Sequence, residues 1–381
     1  MDAARWDRIQ SIFKQVIDAP PVARDAQLDA ACGDDPALRS EVLALLAADE
    51  ATLSLLDGVA ADAIEVQDDF ALEGQRVGPY RLHRLLATGG MGAVYLAHDE
   101  ERGLPGNVAL KLVRQGMDTA RILQRFERER EILARLRHPN IARLLEAGTT
   151  ESGKPWFALE YVDGEAIDRF CDRHRLSIDA RLRLFAAVCE AVHHAHVNDV
   201  VHRDLKPANI LVAHAPSGAP DVKLLDFGIA KALGIGAVDL TRTGGQVMTP
   251  AYASPEQIRG ERVTTATDVY SLGIVLFELL TGQLPYAMRG ESRLEIASMV
   301  VKEEVPKPSS VVSWGHDPVA AAKARATDPE HLRLRLSGHL DAVCLTALRK
   351  EPEERYASVR VLADEAVRGA GGGKFVAGSS S

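Results

Sequence analysis

The stretch Val201-His202-Arg203-Asp204-Leu205-Lys206-Pro207-Ala208-Asn209-Ile210-Leu211 decides the fold. It places Asp, Lys and Asn at relative positions 0, +2 and +5, in a loop flanked by apolar runs. A carboxylate can accept a hydroxyl proton, an ammonium can neutralise a phosphoryl group in transfer, and an amide oxygen can ligate Mg²⁺. Downstream, Leu225-Asp226-Phe227-Gly228 supplies a second carboxylate after a hydrophobic strand. Asn209 and Asp226 together offer the hard oxygen donors that magnesium prefers.

Upstream, Leu86-Ala87-Thr88-Gly89-Gly90-Met91-Gly92-Ala93-Val94-Tyr95 carries its glycines between two expected strands. That setting disfavours a Rossmann turn, which joins strand to helix, and suits a glycine-rich flap over phosphates. Taken alone it fits an unliganded hairpin turn equally well. Lys111 interrupts the apolar strand Val108-Ala109-Leu110-Lys111-Leu112-Val113. On the helix expected next, Glu129 sits inside the stripe Ile122, Phe126, Leu133, Leu136. A buried charge is costly unless paired, so pairing Lys111 with Glu129 is the economical arrangement. A snorkelling lysine and a glutamate at the stripe's edge is the plainer alternative.

Periodicity places these residues on elements. Strands are expected over 80–86, 93–98 and 107–113, then a long amphipathic helix over 119–136, closed by His138-Pro139. Beyond 165 the pattern is mostly helical. Asp268 to Thr281 reads as a buried helix, apolar almost all round and stopped by Gly282. Ahead of the strands, residues 1–50 read as a helical leader. One helix is built on Trp6, Ile9, Phe13, Val16 and Ile17, a second ends at Gly33, and a third is capped by Asp35-Pro36 with face Leu38, Val42, Leu45, Leu46. Residues 51–78 form an acidic linker, and 369–381 a Gly/Ser-rich flexible tail.

In this order and spacing, the motifs resemble those of bacterial eukaryotic-type (Hanks-type) protein serine/threonine kinases, over about 79–368. The resemblance implies an α+β, two-lobed kinase fold: a small antiparallel N-lobe sheet with one long helix (79–162, including the hinge) and a larger, mainly helical C-lobe (163–368). It makes Asp204 the catalytic base and Lys206 the stabiliser of the γ-phosphate. Lys111 would contact the α/β-phosphates and pair with Glu129, while Asn209 and Asp226 would hold Mg²⁺, with Mn²⁺ an alternative. ATP would lie against Leu86, Thr88, Gly89, Gly90, Gly92, Val94, Ala109, Lys111, Glu160, Val162, Asn209 and Asp226, with Leu159 as gatekeeper. Arg203 would sense a phosphorylated activation loop bearing Thr241 and Thr243. Thr249 fits the threonine beside the substrate-binding loop, Glu256 should pair with Arg355, and Asp268 should tie down the catalytic loop. Two positions depart from the pattern. Ala87 replaces the first loop glycine, for which weaker nucleotide handling is expected, and Ser254 replaces the alanine of Ala-Pro-Glu, for which little effect is expected.

The chain's 381 residues are 46% hydrophobic and 26% charged, an ordinary globular balance. Net charge is −9, but residues 1–75 hold 16 acidic against 5 basic side chains, leaving the remainder near neutral. An acidic chain is a poor non-specific partner for nucleic acid. The expected partners are protein substrates with Ser or Thr acceptors, and a docking partner for the acidic leader. Cys32, Cys171, Cys189 and Cys344 show no metal spacing and fit reduced thiols in the cytoplasm. No signal peptide or membrane span is evident. His193-His194-Ala195-His196 reads as part of a helix rather than a metal tract. A pseudokinase scaffold should lack Lys111, Asp204 or Asp226, and a small-molecule phosphotransferase should lack the Thr249–Glu256 segment and Arg355. All are present.

Overall fold

The computed structural model describes residues 72–89, 92–101, 106–113, 136–214, 218–226, 250–286, 293–315 and 317–368, with ten positions between 8 and 42. Strands β1 (Arg76–Val77), β2 (Tyr80–Gly89), β3 (Gly92–Asp99), β4 (Asn107–Val113), β5 (Leu144–Thr149) and β6 (Pro155–Glu160) form one antiparallel sheet in the order β1-β2-β3-β4-β6-β5. In β3, Ala93, Tyr95 and Ala97 are buried while alternate residues are only half-buried, the period-2 signature of a sheet covered on one face. Tyr80 packs edge-on against Trp156 at 5.7 Å between ring centres, closing a core with Val77, Leu82, Leu110 and Leu112.

Gly92 has a packing role that its motif does not announce. It pairs with Gly89 across the hairpin and has φ +136°, and a Cβ there would lie 1.9 Å from the Leu112 carbonyl oxygen. Only glycine lets β3 run this close to β4.

A second, three-stranded sheet joins β7 (Glu165–Ala166), β8 (Ile210–His214) and β9 (Pro220–Leu224), so the region beyond 165 is less purely helical than periodicity suggested. Short strands of this kind give too few residues for a period to register. Around the sheet lie α1 (Ile167–Arg173), α2 (Ile178–Val197), α3 (Pro255–Ile258), α4 (Thr265–Thr281), α5 (Arg293–Lys302), α6 (Pro308–Trp314), α7 (Pro318–Ala324), α8 (Pro329–Leu336), α9 (His339–Ala347) and α10 (Val359–Arg368). Helix α4 is the expected buried helix, begun three residues earlier. Thr264 caps it through a reciprocal box with Thr267, and Gly282 ends it at φ +79°.

The last-turn carbonyls of α4 are met by the Gly282 N–H, which donates to Glu278 O at 2.7 Å, and by two buried arginines. Arg181 donates to Leu279 O at 3.1 Å, and Arg325 to Leu280 O at 2.6 Å and Glu278 O at 3.1 Å. Asp172 lies 2.8 Å from Arg181 and 3.6 Å from Arg325. Burial, with Arg181 alongside, pushes the Arg325 guanidinium down to about 10, which leaves it charged at neutral pH.

In the leader, Leu38 N–H donates to Asp35 Oδ1 at 2.9 Å, so Asp35 is the expected cap, and Gly33 turns at φ +58°. Ile12, Leu28, Cys32, Leu38 and Val42 are buried. The expected helix over 119–136 lies almost wholly outside the described residues. Among the described residues no helix is long and apolar enough to cross a membrane.

Candidate active site

Helix α2 delivers the chain to the loop 201–209, and α4 fixes it there. Asp268, fully buried in the first turn of α4, accepts from the backbone N–H of His202 at 2.8 Å and of Arg203 at 2.9 Å. Its Oδ2 also lies 2.7 Å from His196 Nε2. The expected tie between Asp268 and the loop is therefore made through two backbone amides. His196, from the His-rich stretch, is held on α2 as part of the same brace, while His194 packs on His138 at 5.1 Å between ring centres.

His202 carries the brace onward. Its Nε2 contacts Leu225 O at 2.9 Å, and its Nδ1 accepts the Asp204 N–H at 3.3 Å, which selects the Nε2–H tautomer. Burial lowers its pKa despite Asp268, so the ring is neutral and the tautomer is kept. Arg203 (φ +67°) and Asp226 (φ +47°) both adopt the left-handed region, at roughly 1–2 kcal/mol each for a residue with a Cβ. Both need outside anchors, and both turn a functional side chain out of an otherwise extended path.

The expected chemical residues come together. Lys206 Nζ lies 3.1 Å from Asp204 Oδ2. Asn209, on the short 3₁₀ turn Pro207–Asn209, donates from Nδ2 to Asp204 O at 2.7 Å and to Asp204 Oδ2 at 3.0 Å. With both of those bonds on its nitrogen, its amide oxygen is presented on the opposite side. Lys111, buried on β4, places Nζ 2.8 Å from Asp226 Oδ2. The expected pairing partner, Glu129, lies outside the described residues. The left-handed Asp226 brings its carboxylate to the lysine across a separation of 115 residues, which no local pattern could register.

Asp226 Oδ1 is buried with no hydrogen-bond partner among the described residues. A carboxylate oxygen left without a donor and an amide oxygen on the neighbouring loop are the kind of hard donors a magnesium site uses, its shell completed by phosphate and water. The residues present fit the expected ion.

Around this centre, Val94 pairs in register with Lys111, and Ala109 with Leu159, on adjacent strands. Thr88 is exposed near the hairpin tip, Leu86 and Val162 are half-buried, and Gly89 and Gly92 close the hairpin. Glu160 does more than offer its backbone. Its carboxylate accepts from Lys223 Nζ at 2.9 Å and from the Arg143 N–H at 3.2 Å, linking the strand before the hinge to β9. Burial raises its pKa, but Lys223 and Arg143 outweigh that and hold it below the usual carboxylate value. Nothing in the local sequence marked this pair.

Below the loop, Arg355 grips Glu256 through two 2.8 Å bonds, as expected, with both side chains buried. Ser254 has a local role that its motif does not announce: it is wholly buried and caps α3, accepting from Gln257 N at 3.4 Å while its own N–H donates to Gln257 Oε1 at 3.1 Å. Alanine could not accept that bond. A groove of about 1030 Å³ runs beside the loop, lined in part by Asp168, Lys206, Pro207, His214 and Tyr252. Gly90, Thr241, Thr243 and Thr249 lie outside the described residues.

The comparisons with known proteins agree with this geometry. The model of the protein kinase domain matches residues 80–367. The serine/threonine-protein kinase PknB of Mycobacterium tuberculosis is 36% identical over 296 residues, covering 76% of this chain and 42% of that protein. The serine/threonine-protein kinase Pkn1 of Myxococcus xanthus is 36% identical over 303 residues, covering 78% and 39%. The chain thus spans about two fifths of these relatives' length. The crystal structure of the M. tuberculosis PknI kinase domain superposes with a TM-score of 0.54 at 27% identity, covering 78% of this chain and 98% of that one. With three quarters of its length matched by the family model and its architecture shared with a solved kinase domain, this chain belongs to the protein kinase domain family.

Proposed function

We propose that the chain is a protein serine/threonine kinase that transfers the γ-phosphate of ATP to Ser or Thr hydroxyls of protein substrates. The observation that carries this reading is a pair of hydrogen-bonded groups, Asp204 with Lys206 and Asn209 and Lys111 with Asp226, on loops that the Leu225 N–H joins by donating to Asn209 O at 2.8 Å. Asp204 would accept the hydrogen bond of the attacking hydroxyl and take its proton. Lys206 and Lys111 would offset phosphate charge. Asn209 and Asp226 would hold Mg²⁺ (or Mn²⁺), which supplies neutralisation of the phosphate oxygens when bound. On ATP binding, Lys111 would exchange its bond to Asp226 for the α/β-phosphates and Glu129. The nucleotide would lie against Leu86, Thr88, Gly89, Gly90, Gly92, Val94, Ala109 and the hinge backbone at Glu160 and Val162.

The same proposal includes the division into leader (1–50), acidic linker (51–78), N-lobe (79–162), C-lobe (163–368) and tail (369–381). It includes autophosphorylation at one or both of Thr241 and Thr243, read by Arg203, a structural place for Thr249 beside the substrate-binding loop, a cytoplasmic location and a docking partner for the leader. A pseudokinase scaffold is disfavoured because no chemical residue is missing. The test is incubation of wild type and Lys111→Met with Mg-ATP, with phosphosites located by mass spectrometry. Sites on Ser or Thr in the wild type alone support the reading. A wild type as unmodified as the variant, with generic protein substrates also untouched, refutes it.

A further inference from the structure

The peptide unit joining Arg203 to Asp204 sets the plane from which the Asp204 side chain departs. Its N–H, on Asp204, donates to His202 Nδ1 at 3.3 Å. Its C=O, on Arg203, accepts from Gln257 Nε2 at 2.9 Å. Both ends of this one peptide are therefore held, one from within the loop and one from α3, fifty-four residues away.

Such a clamp has a physical reason to exist. Arg203 is in the left-handed region at φ +67°, so its backbone is poised to relax unless something outside the loop opposes it. Asp268 holds the preceding amide, at Arg203 N, and Gln257 holds the carbonyl that follows. Gln257 is itself aimed. Its Oε1 accepts from the Ser254 N–H at 3.1 Å and lies 3.4 Å from Ser254 Oγ, which turns the amide nitrogen toward the loop. The side chain that closes the α3 capping box thus uses its other end to pin the peptide before the base.

We infer that Gln257 is a positioning residue for the phosphoryl-transfer step, holding Asp204 in line through the Arg203 carbonyl, with Ser254 setting the orientation of its amide. This rests on the kinase reading of Asp204. The requirement is for a donor at position 257, because a capping box accepts Glu or Gln equally whereas only Gln can donate to a carbonyl. The segment after the activation loop would then report on the catalytic loop directly, without passing through α4.

Gln257→Glu separates the two roles, since it keeps the acceptor for the Ser254 N–H and removes the donor. Expected in the full chain are a kcat reduced about tenfold and a KM for ATP within about twofold of wild type, the signature of an interaction felt only in the transition state. The melting temperature should stay within about 3 °C, and the Asp204 amide should exchange hydrogen faster. An unchanged kcat overturns the inference. So does a fall in kcat accompanied by parallel losses in melting temperature and ATP affinity, which would mark a structural role alone. If wild type transfers no phosphate, the kinase reading fails, yet the exchange comparison still decides this inference: equal protection of the Asp204 amide in both proteins refutes the clamp.

Discussion

Replacing Arg355 with Met tests the C-lobe brace quantitatively. Arg355 makes five donor contacts: two to Glu256 at 2.8 Å, and one each to Arg349 O, Ala266 O and Lys350 O at 2.8–2.9 Å. Its guanidinium also lies 5.0 Å over the Tyr270 ring. Methionine fills part of the volume but leaves the Glu256 carboxylate buried without its cation. Removing one partner of a buried pair costs about 3–5 kcal/mol. For a unit of this size that is a fall in melting temperature of roughly 8–15 °C.

The pH dependence adds a sign. In wild type, burial pushes the Glu256 pKa up, but Arg355 overcomes it and holds the carboxyl below its usual value. The pair therefore contributes stability above the unfolded carboxylate pKa, and that contribution is lost as pH falls. In Arg355→Met burial is opposed only by the hydrogen bonds from the Thr267 hydroxyl and the Glu256 N–H, so the deficit should shrink as pH drops toward 5. Thermal denaturation of wild type, Arg355→Met, Glu256→Gln and the double variant, from pH 5 to 8, gives both quantities. The double variant should cost less than the sum of the singles by about 2 kcal/mol. Additive losses, or a single-variant loss under about 1 kcal/mol, would refute the reasoning.

Four other perturbations have definite outcomes. Gly92→Ala drives a Cβ into the Leu112 carbonyl, so it should lower the melting temperature and raise the KM for ATP, whereas Ala87→Gly should alter ATP affinity by no more than about threefold. Burial and the nearby Asp168 and Asp172 push Glu278 up to about 7 against the opposing Tyr252 hydrogen bond, so its folded form holds a proton that the unfolded form releases. Stability should therefore decline as pH rises from about 4.5 to 7, and Glu278→Gln should remove about 3 kcal/mol of that decline in denaturant titrations. Thr241→Ala combined with Thr243→Ala should abolish activation-loop phosphate and lower turnover, measured by phosphopeptide mapping and initial rates.

What could be read from the chain alone follows the range of each interaction. The acid, lysine and amide of 204–209 share one short loop, so their spacing carries the chemistry directly. The Asp35 cap and the Gly282 stop are local and were equally legible. Glu256–Arg355 and Asp268 were reached by resemblance, since 99 and about 65 residues separate the partners. The Lys111–Asp226 contact, the Glu160–Lys223 pair and the Arg325 anchor at the end of α4 were not legible, because each depends on how separate elements pack. Ser254 and Gly92 are instructive in opposite ways. Ser254 looked like a neutral departure from a motif, yet its hydroxyl caps a helix. Gly92 looked like a phosphate-loop glycine, and its tightest constraint is the backbone of its own sheet.

The central claim is that Asp204 acts as the base for transfer of phosphate from ATP to a Ser or Thr hydroxyl. The most direct measurement is the initial rate of phosphate transfer to a generic Ser/Thr protein substrate by wild type and Asp204→Asn, each first shown to be folded by its melting curve. Asparagine keeps the size and one acceptor but cannot take the proton, so the rate should fall at least 100-fold, as expected on removing a general base, while ATP still binds. Equal rates for the two folded proteins, or no transfer by wild type, would contradict it.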